Sequence, residues 1–321
     1  MAQQTRQRKS RRGIPGFLPV ALGVAALVAV AAGLALALGF PQTVPVAPVA
    51  VDGCRVTPQF VATASPSSNV ALATDGREMG LVLRTVDGGT PVYQHPTWDD
   101  AGYLGAIAYD QAGNVYAAPT PRLSLADNPL AGTAMLWRAD TVTGDLQPFV
   151  SLPGVANERN PFGVLGLFYA CGLDTLYAGS VLGSTPSAER GGVIAIHLPD
   201  GGQTALISDT DVMGVLVVRQ GTGYTLYAGL ARRPAIIALS LDAQGHAVGP
   251  MTQVIDLIDA GATPQERARK LRLVGDTLVA DLVPFTFSLQ ANATDLPQIR
   301  RATWIWDAAA GVWALRQAAT L

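Results

Sequence analysis

The chain has 321 residues, 49% of them hydrophobic and 14% charged, with 34 Gly, 22 Pro and a formal net charge of −2. Arg6, Arg8, Lys9, Arg11 and Arg12 are five of the 22 basic residues, so beyond them 17 basic residues face 24 acidic ones, a net charge of about −7. That balance excludes a nucleic-acid surface, which needs a clustered positive patch. Evenly spread Gly and Pro with low charge suit many short strands joined by tight turns.

In chain order, residues 1–13 form a basic tail. From Gly13 to Val51 there is no charged side chain, and Phe17 to Phe40 is almost wholly Ala, Val, Leu and Gly. A helix of that length reaches about 36 Å at ~1.5 Å per residue, enough to cross a hydrocarbon core of roughly 30 Å. Residues 14–40 are therefore expected to be a transmembrane helix, a signal anchor inserted in the lipid bilayer. The basic flank keeps the N-terminus cytoplasmic and sends the rest of the chain out, to an extracytoplasmic location at the cell membrane. The competing reading is a cleaved signal peptide, and Ser10-Arg11-Arg12-Gly13-Ile14 resembles a twin-arginine export signal. The apolar stretch is longer than a signal h-region, which favours the anchor. Both readings place the large domain outside the cytoplasm.

Residues 41–58, with Pro41, Pro45, Pro48 and Pro58, lack helical period and are expected to be an extended linker, a stalk. The chain holds two cysteines, Cys54 and Cys171. Outside the cytoplasm they are either bonded to each other or free. Neither has His partners at ligand spacing, which argues against a metal pair or a thiol nucleophile.

From residue 59 to 321 one unit recurs every ~50 residues, the mark of a radial or stacked β architecture. Val115-Tyr116-Ala117-Ala118, Leu176-Tyr177-Ala178-Gly179, Leu226-Tyr227-Ala228-Gly229 and Leu278-Val279-Ala280-Asp281 each follow an apolar run and a Gly-bearing turn. Each precedes a loop and a second apolar hairpin. Those hairpins turn at Asp87-Gly88-Gly89, Thr143-Gly144-Asp145, Asp200-Gly201-Gly202, Asp242 to Gly245 and Ala310-Gly311. Such dipeptides supply the positive φ that tight hairpins need. The fold expected is all-β: a five- or six-bladed β-propeller of four-stranded antiparallel blades, with Gln265 to Leu321 able to hide a sixth blade. A β-sandwich or solenoid is the runner-up.

On these residues the chain resembles the broad β-propeller superfamily from Phe60 to Leu321. Thr85-Val86-Asp87-Gly88-Gly89-Thr90 resembles the Asp-box hairpin of sialidase-like propellers, although Pro91-Val92 stands where that motif has Thr-Trp. The Gly-His and Trp-Asp signature of the WD40 group is missing. The strand pattern is similar to that of NHL and gluconolactonase-like propellers, without a diagnostic motif of either.

The repeat also assigns faces. Loops Pro119 to Gly132, Ser180 to Gly191 and Leu282 to Arg301 emerge on one face, and the short turns on the other. Long loops on a rigid scaffold are where binding chemistry gathers. That face is expected to collect Asp99, Asp100, Glu158, Asn160, Asp211 and Glu266 at the mouth of a central channel. Oxygen ligands converging from several blades are what Ca²⁺ requires, and the gluconolactonase resemblance implies a metal-dependent lactonase or hydrolase there. Arg232-Arg233 and Arg300-Arg301 lie at corresponding places before a third strand, where paired guanidinium forks suit an anionic ligand. Solvated arginines are the plainer reading. Cys171 falls in a short turn, so a bond to Cys54 would staple the stalk to the short-turn face and turn that face towards the membrane.

His95, His197 and His246 fall far apart in the repeat, and neither a Gly-x-Ser-x-Gly elbow nor a Walker-type glycine loop occurs. Asn292-Ala293-Thr294 fits a glycosylation sequon. No catalytic residue is assigned. The expected role is a binding or scaffolding module at the cell envelope, its partner an envelope protein or a small-molecule ligand. The alternative is a Ca²⁺-dependent lactonase or hydrolase.

Overall fold

The computed structural model describes residues 45–65, 69–74, 78–87, 90–122, 124–289 and 299–321. The basic tail, the apolar span, the first linker residues, the Gly88-Gly89 turn and the sequon lie outside them. Among the described residues no helix is long and apolar enough to cross a membrane.

The described chain runs through strand β1 (Val49–Ala50), helix α1 (Gln59–Ala64) and five sequential sheets. The first sheet holds β2 (Val70–Ala73), β3 (Val82–Thr85) and β4 (Pro91–Tyr93). The second holds β5 (Leu104–Tyr109), β6 (Val115–Pro119), β7 (Met135–Ala139) and β8 (Leu146–Ser151). The third is β9 (Val164–Ala170), β10 (Thr175–Ser180), β11 (Gly192–His197) and β12 (Gln203–Ile207). The fourth is β13 (Val212–Gln220), β14 (Gly223–Leu230), β15 (Ala235–Leu241) and β16 (Ala247–Asp256). The fifth is β17 (Glu266–Val274), β18 (Thr277–Pro284), β19 (Arg300–Asp307) and β20 (Val312–Thr320).

Within each sheet, strands consecutive in the chain pair antiparallel. This is a five-bladed β-propeller. Among the described residues four blades have four strands of their own and the first has three. The segment from Gln265 onward builds one blade, so the six-bladed option falls. First strands of neighbouring blades pack together (β5 on β9, β9 on β13, β13 on β17), and β9 also approaches β17, two blades on. A linear stack could not bring the third unit's first strand to the fifth's.

Each recurring tetrapeptide lies in the second strand of its blade, and its composition has a steric reason. The tyrosines fill the space between blades: Tyr116, Tyr177 and Tyr227 are buried. The small residues let the next blade approach. A Cβ on Gly229 would lie 2.2 Å from the carbonyl oxygen of Ala268 on β17.

Buried apolar clusters join the blades in sequence. Leu72, Leu83 and Trp98 meet Leu104 and Val115 between blades one and two. Tyr116 and Leu136 meet Tyr169 and Leu176 between blades two and three. A larger core runs through blades three, four and five, from Val193 through Leu226 and Ile236 to Leu278 and Trp304. Among the described residues none of these clusters joins blade five to blade one.

The segment expected to be a stalk behaves otherwise. From Pro45 onward it is part of the body, laid across the short-turn face as a belt. Pro45 packs on Gly311, where a Cβ would lie 2.8 Å from the proline ring. Gln220 Nε2 donates to the Val46 carbonyl (2.8 Å), and β1 pairs with the end of β13. Cys171 N–H donates to the Val51 carbonyl (3.0 Å), and Cys54 and Cys171 form a disulfide with Cα atoms 5.8 Å apart. Arg55 lies over the Phe168 ring and donates to the Tyr169 carbonyl (3.1 Å). Val56 N–H reaches the Asp110 carbonyl and Phe60 N–H the Thr141 carbonyl. The belt thus visits blades five, four, three and two, against chain order. An extended Pro-rich backbone has no repeating hydrogen bonds of its own, and apart from the Arg55 amide on the Asp52 carbonyl (3.2 Å) the belt's backbone takes its partners from the blade turns.

Candidate functional site

The loop-rich face is organised by buried ion pairs. Asp211 precedes β13 and is fully buried (0% exposed). Its Oδ2 accepts from Arg232 Nε at 2.6 Å, and its Oδ1 accepts from the Gly191 amide (3.1 Å) and the Ser184 hydroxyl. Its own amide donates to Glu189 Oε2 at 2.7 Å. Arg232, between β14 and β15, spends its other donors on the carbonyls of Thr185 (2.6 Å), Pro186 (2.9 Å) and Ala188 (3.0 Å). Its guanidinium also stacks on the Phe287 ring, 4.9 Å from the centroid. One arginine therefore ties the 185–188 loop to the start of the next blade.

Blade five repeats the device. Glu266 opens β17, and its Oε1 accepts from Arg300 Nε at 3.2 Å while its Oε2 accepts from the Thr263 amide at 2.6 Å. In both blades an acid at the start of the first strand holds an arginine at the approach to the third. Arg301, the next residue, donates to Asp281 Oδ1 at 2.7 Å, and Arg272 reaches the same oxygen at 3.2 Å.

Arg267, which sequence reasoning missed, is buried and caps four carbonyls: Ala231 (2.8 Å), Pro264 (2.7 Å), Glu266 (2.8 Å) and Arg232 (2.9 Å). Desolvation holds its pKa below the ordinary value. Its place beside Glu266 at a strand start was the available signal.

The remaining expected site residues are dispersed. Asp99 and Asp100 lie exposed in a single 3₁₀ turn, Asp99–Ala101, where Asp99 accepts from Gln94 Nε2 at 2.8 Å. Glu158 is exposed. Asn160 is buried and structural: its Nδ2 donates to the Val181 carbonyl (2.6 Å) and its Oδ1 accepts from the Phe162 amide (3.1 Å). Arg233 is exposed. Asp211 and Arg232 are brought together, as are Glu266 and Arg300; the others join neither pair.

Where the strand ends of blades three, four and five meet on this face, the contact is apolar. Phe162, Leu165, Met213, Ala231, Val283 and Phe285 cluster there, with the rings of Phe162 and Phe285 5.5 Å apart. Among the described residues no group of three His, Cys, Asp or Glu stands close enough to hold a metal ion. Asp211 and Glu266 direct their oxygens at guanidinium and amide donors. Elsewhere, an open recess of about 410 Å³ on blade two is lined by Arg138, Asp140, Asp145, Gln147 and Phe149.

No family model matches the chain, and no curated protein matches it. Similar solved structures are distant. The luciferin-regenerating enzyme is 9% identical, with a TM-score of 0.47 over 87% of this chain and 76% of that one. The GH43B protein of the Bacteroides ovatus xyloglucan PUL is 10% identical, with a TM-score of 0.39, and the match spans 66% of this chain but only 40% of that protein. An endo-arabinase from Bacteroides thetaiotaomicron is 12% identical, with a TM-score of 0.39 over 67% of this chain and 79% of that one. Likenesses this remote carry no argument about activity.

Proposed function

We propose that this propeller is a binding module of the cell envelope rather than an enzyme, held at the membrane by the apolar segment at residues 14–40. The observation that carries the reading is the use of its buried carboxylates. Of the four among the described residues, Asp211, Glu266 and Asp281 are each tied to arginine, and Asp110 accepts from Asn114 and Tyr116. A general acid, a general base or a metal ligand needs a free lone pair or a tuned proton. Pairing with guanidinium neutralises the carboxylates of Asp211, Glu266 and Asp281, which weakens them both as bases and as cation ligands. The belt occupies the short-turn face, which leaves the loop-rich face and the blade flanks for a partner.

The NHL and gluconolactonase resemblance keeps a lactonase or hydrolase as the competing outcome. The full chain, purified in neutral detergent, is assayed for binding to purified envelope polymers and for Ca²⁺-dependent turnover of lactones and glycosides. Saturable binding without turnover supports the module. Turnover that a chelator abolishes would overturn it.

A further inference from the structure

Blade five has two unlike faces. One sends Leu271, Leu273, Leu278, Ala280 and Trp304 into the core shared with blade four. Alternation along the strands puts Lys270, Arg272, Asp281 and Arg301 on the other. Lys270 stands directly opposite Asp281 on β18, and Asp281 directly opposite Arg301 on β19. Asp281 is 6% exposed and serves two arginines at once, Arg301 at 2.7 Å and Arg272 at 3.2 Å. Arg269, the bulged residue between the pairings of Ala268 and Lys270, adds a fourth cation.

No hydrogen bond or ion pair of the Lys270 ammonium is found among the described residues. The Lys270 side chain is exposed at the rim of the face, and partial desolvation of its ammonium pulls its pKa below the ordinary value. The charges of Arg269, Arg272 and Arg301 pull it further, against the opposing effect of Asp281. Lys270, Arg272 and Arg301 thus share one carboxylate. The side chains of Arg272 and Arg301 remain 40% and 37% exposed. Buried Val279 and Val283 flank Asp281 on this face, and among the described residues no buried apolar cluster joins it to blade one.

We propose that this face of blade five binds a tetrahedral oxyanion, phosphate or sulfate, free or carried as an ester on a larger molecule. Asp281 fixes two guanidinium planes in place, so their remaining N–H donors are oriented before any ligand arrives. Lys270 supplies a point charge beside the two forks, and the anion offsets the repulsion that Asp281 leaves uncompensated. The site rests on the binding-module reading and names the chemistry of what such a module takes up.

The full chain in neutral detergent is titrated calorimetrically with sodium phosphate, sodium sulfate and glycerol phosphate, against sodium chloride at matched ionic strength. Phosphate or sulfate should bind saturably and chloride should not. Lys270→Gln and Arg272→Gln should each weaken binding about tenfold, the worth of one charge-assisted contact. Arg159→Gln, on an exposed loop ahead of β9, should leave it unchanged, and a circular-dichroism melt checks that each variant is folded. Tighter binding of glycerol phosphate than of phosphate assigns the site to esters, and the reverse to the free ion. Equal heats from chloride, or unchanged affinity in both blade-five variants, would overturn the site. A neutral polymer captured equally by wild type and Lys270→Gln, with no oxyanion bound, removes this site and keeps the module. Oxyanion binding with no macromolecule captured does the opposite.

Discussion

Arg232 Nε lies 2.6 Å from Asp211 Oδ2, and the same guanidinium holds three carbonyls of the loop that precedes blade three's third strand. The pair fixes a loop from one blade to the start of the next. Removing the arginine leaves a fully buried carboxylate without its cation, a loss of about 3–5 kcal/mol. Arg232→Met should lower the denaturation midpoint by a corresponding amount. Arg233→Met, one residue on and exposed, should change it by less than about 0.5 kcal/mol.

The belt gives a second prediction. The bond between Cys54 and Cys171 closes a separation of 117 residues, and cross-links over loops of that length contribute about 2–4 kcal/mol. Reductant should lower the urea midpoint of the wild type. It should have no effect on a chain with Cys54→Ser and Cys171→Ser, whose midpoint should match the reduced wild type.

Close approach between blades can be probed at one atom. Gly229→Ala places a methyl 2.2 Å from the Ala268 carbonyl oxygen, and overpacking of this kind costs about 1–3 kcal/mol. A Cβ on Gly132 meets nothing within 4 Å, so Gly132→Ala should be close to neutral. Thermal melts of the two variants make the comparison.

The interblade tyrosines set an alkaline limit. Desolvation pushes the Tyr109 and Tyr227 hydroxyls up to about 12, and raises Tyr177 as well. The folded state therefore holds protons that the unfolded state releases from about pH 10. Their stabilisation is complete below pH 10 and is lost as pH rises towards 12. The melting temperature should fall across that window, and Tyr227→Phe should remove phenolate absorbance that appears with unfolding.

The second strands of blades two, three and four were legible because burial between two blades demands a tyrosine followed by small residues, and Leu278-Val279-Ala280 keeps the same apolar order in blade five. The Asp-Gly and Gly-Gly turns marked the outer hairpins for the same kind of reason. β2 carried no such mark: Val70–Ala73 is four residues without a Tyr-Ala sequence, so the first blade was read only as its hairpin. The belt was invisible because a Pro-rich extended segment has no period and takes its register from the turns it crosses. The polar residues of the loop-rich face were read as blade entries that converge on one mouth, and the structure spreads them over separate turns and strand ends. Side-chain pairing within each blade decided where those charges went, as Asp211 with Arg232 and Glu266 with Arg300 illustrate. The matching stations of the two pairs along the repeat were the sequence signal for it. The cations of β17 stood in plain alternation with Leu271 and Leu273, and only the register against Asp281 and Arg301 gave them meaning.

If the buried acids on the loop-rich face are structural, a calorimetric titration of the full chain with Ca²⁺ gives no saturable heat up to millimolar ion. Stoichiometric binding that Glu266→Gln abolishes would contradict that reading.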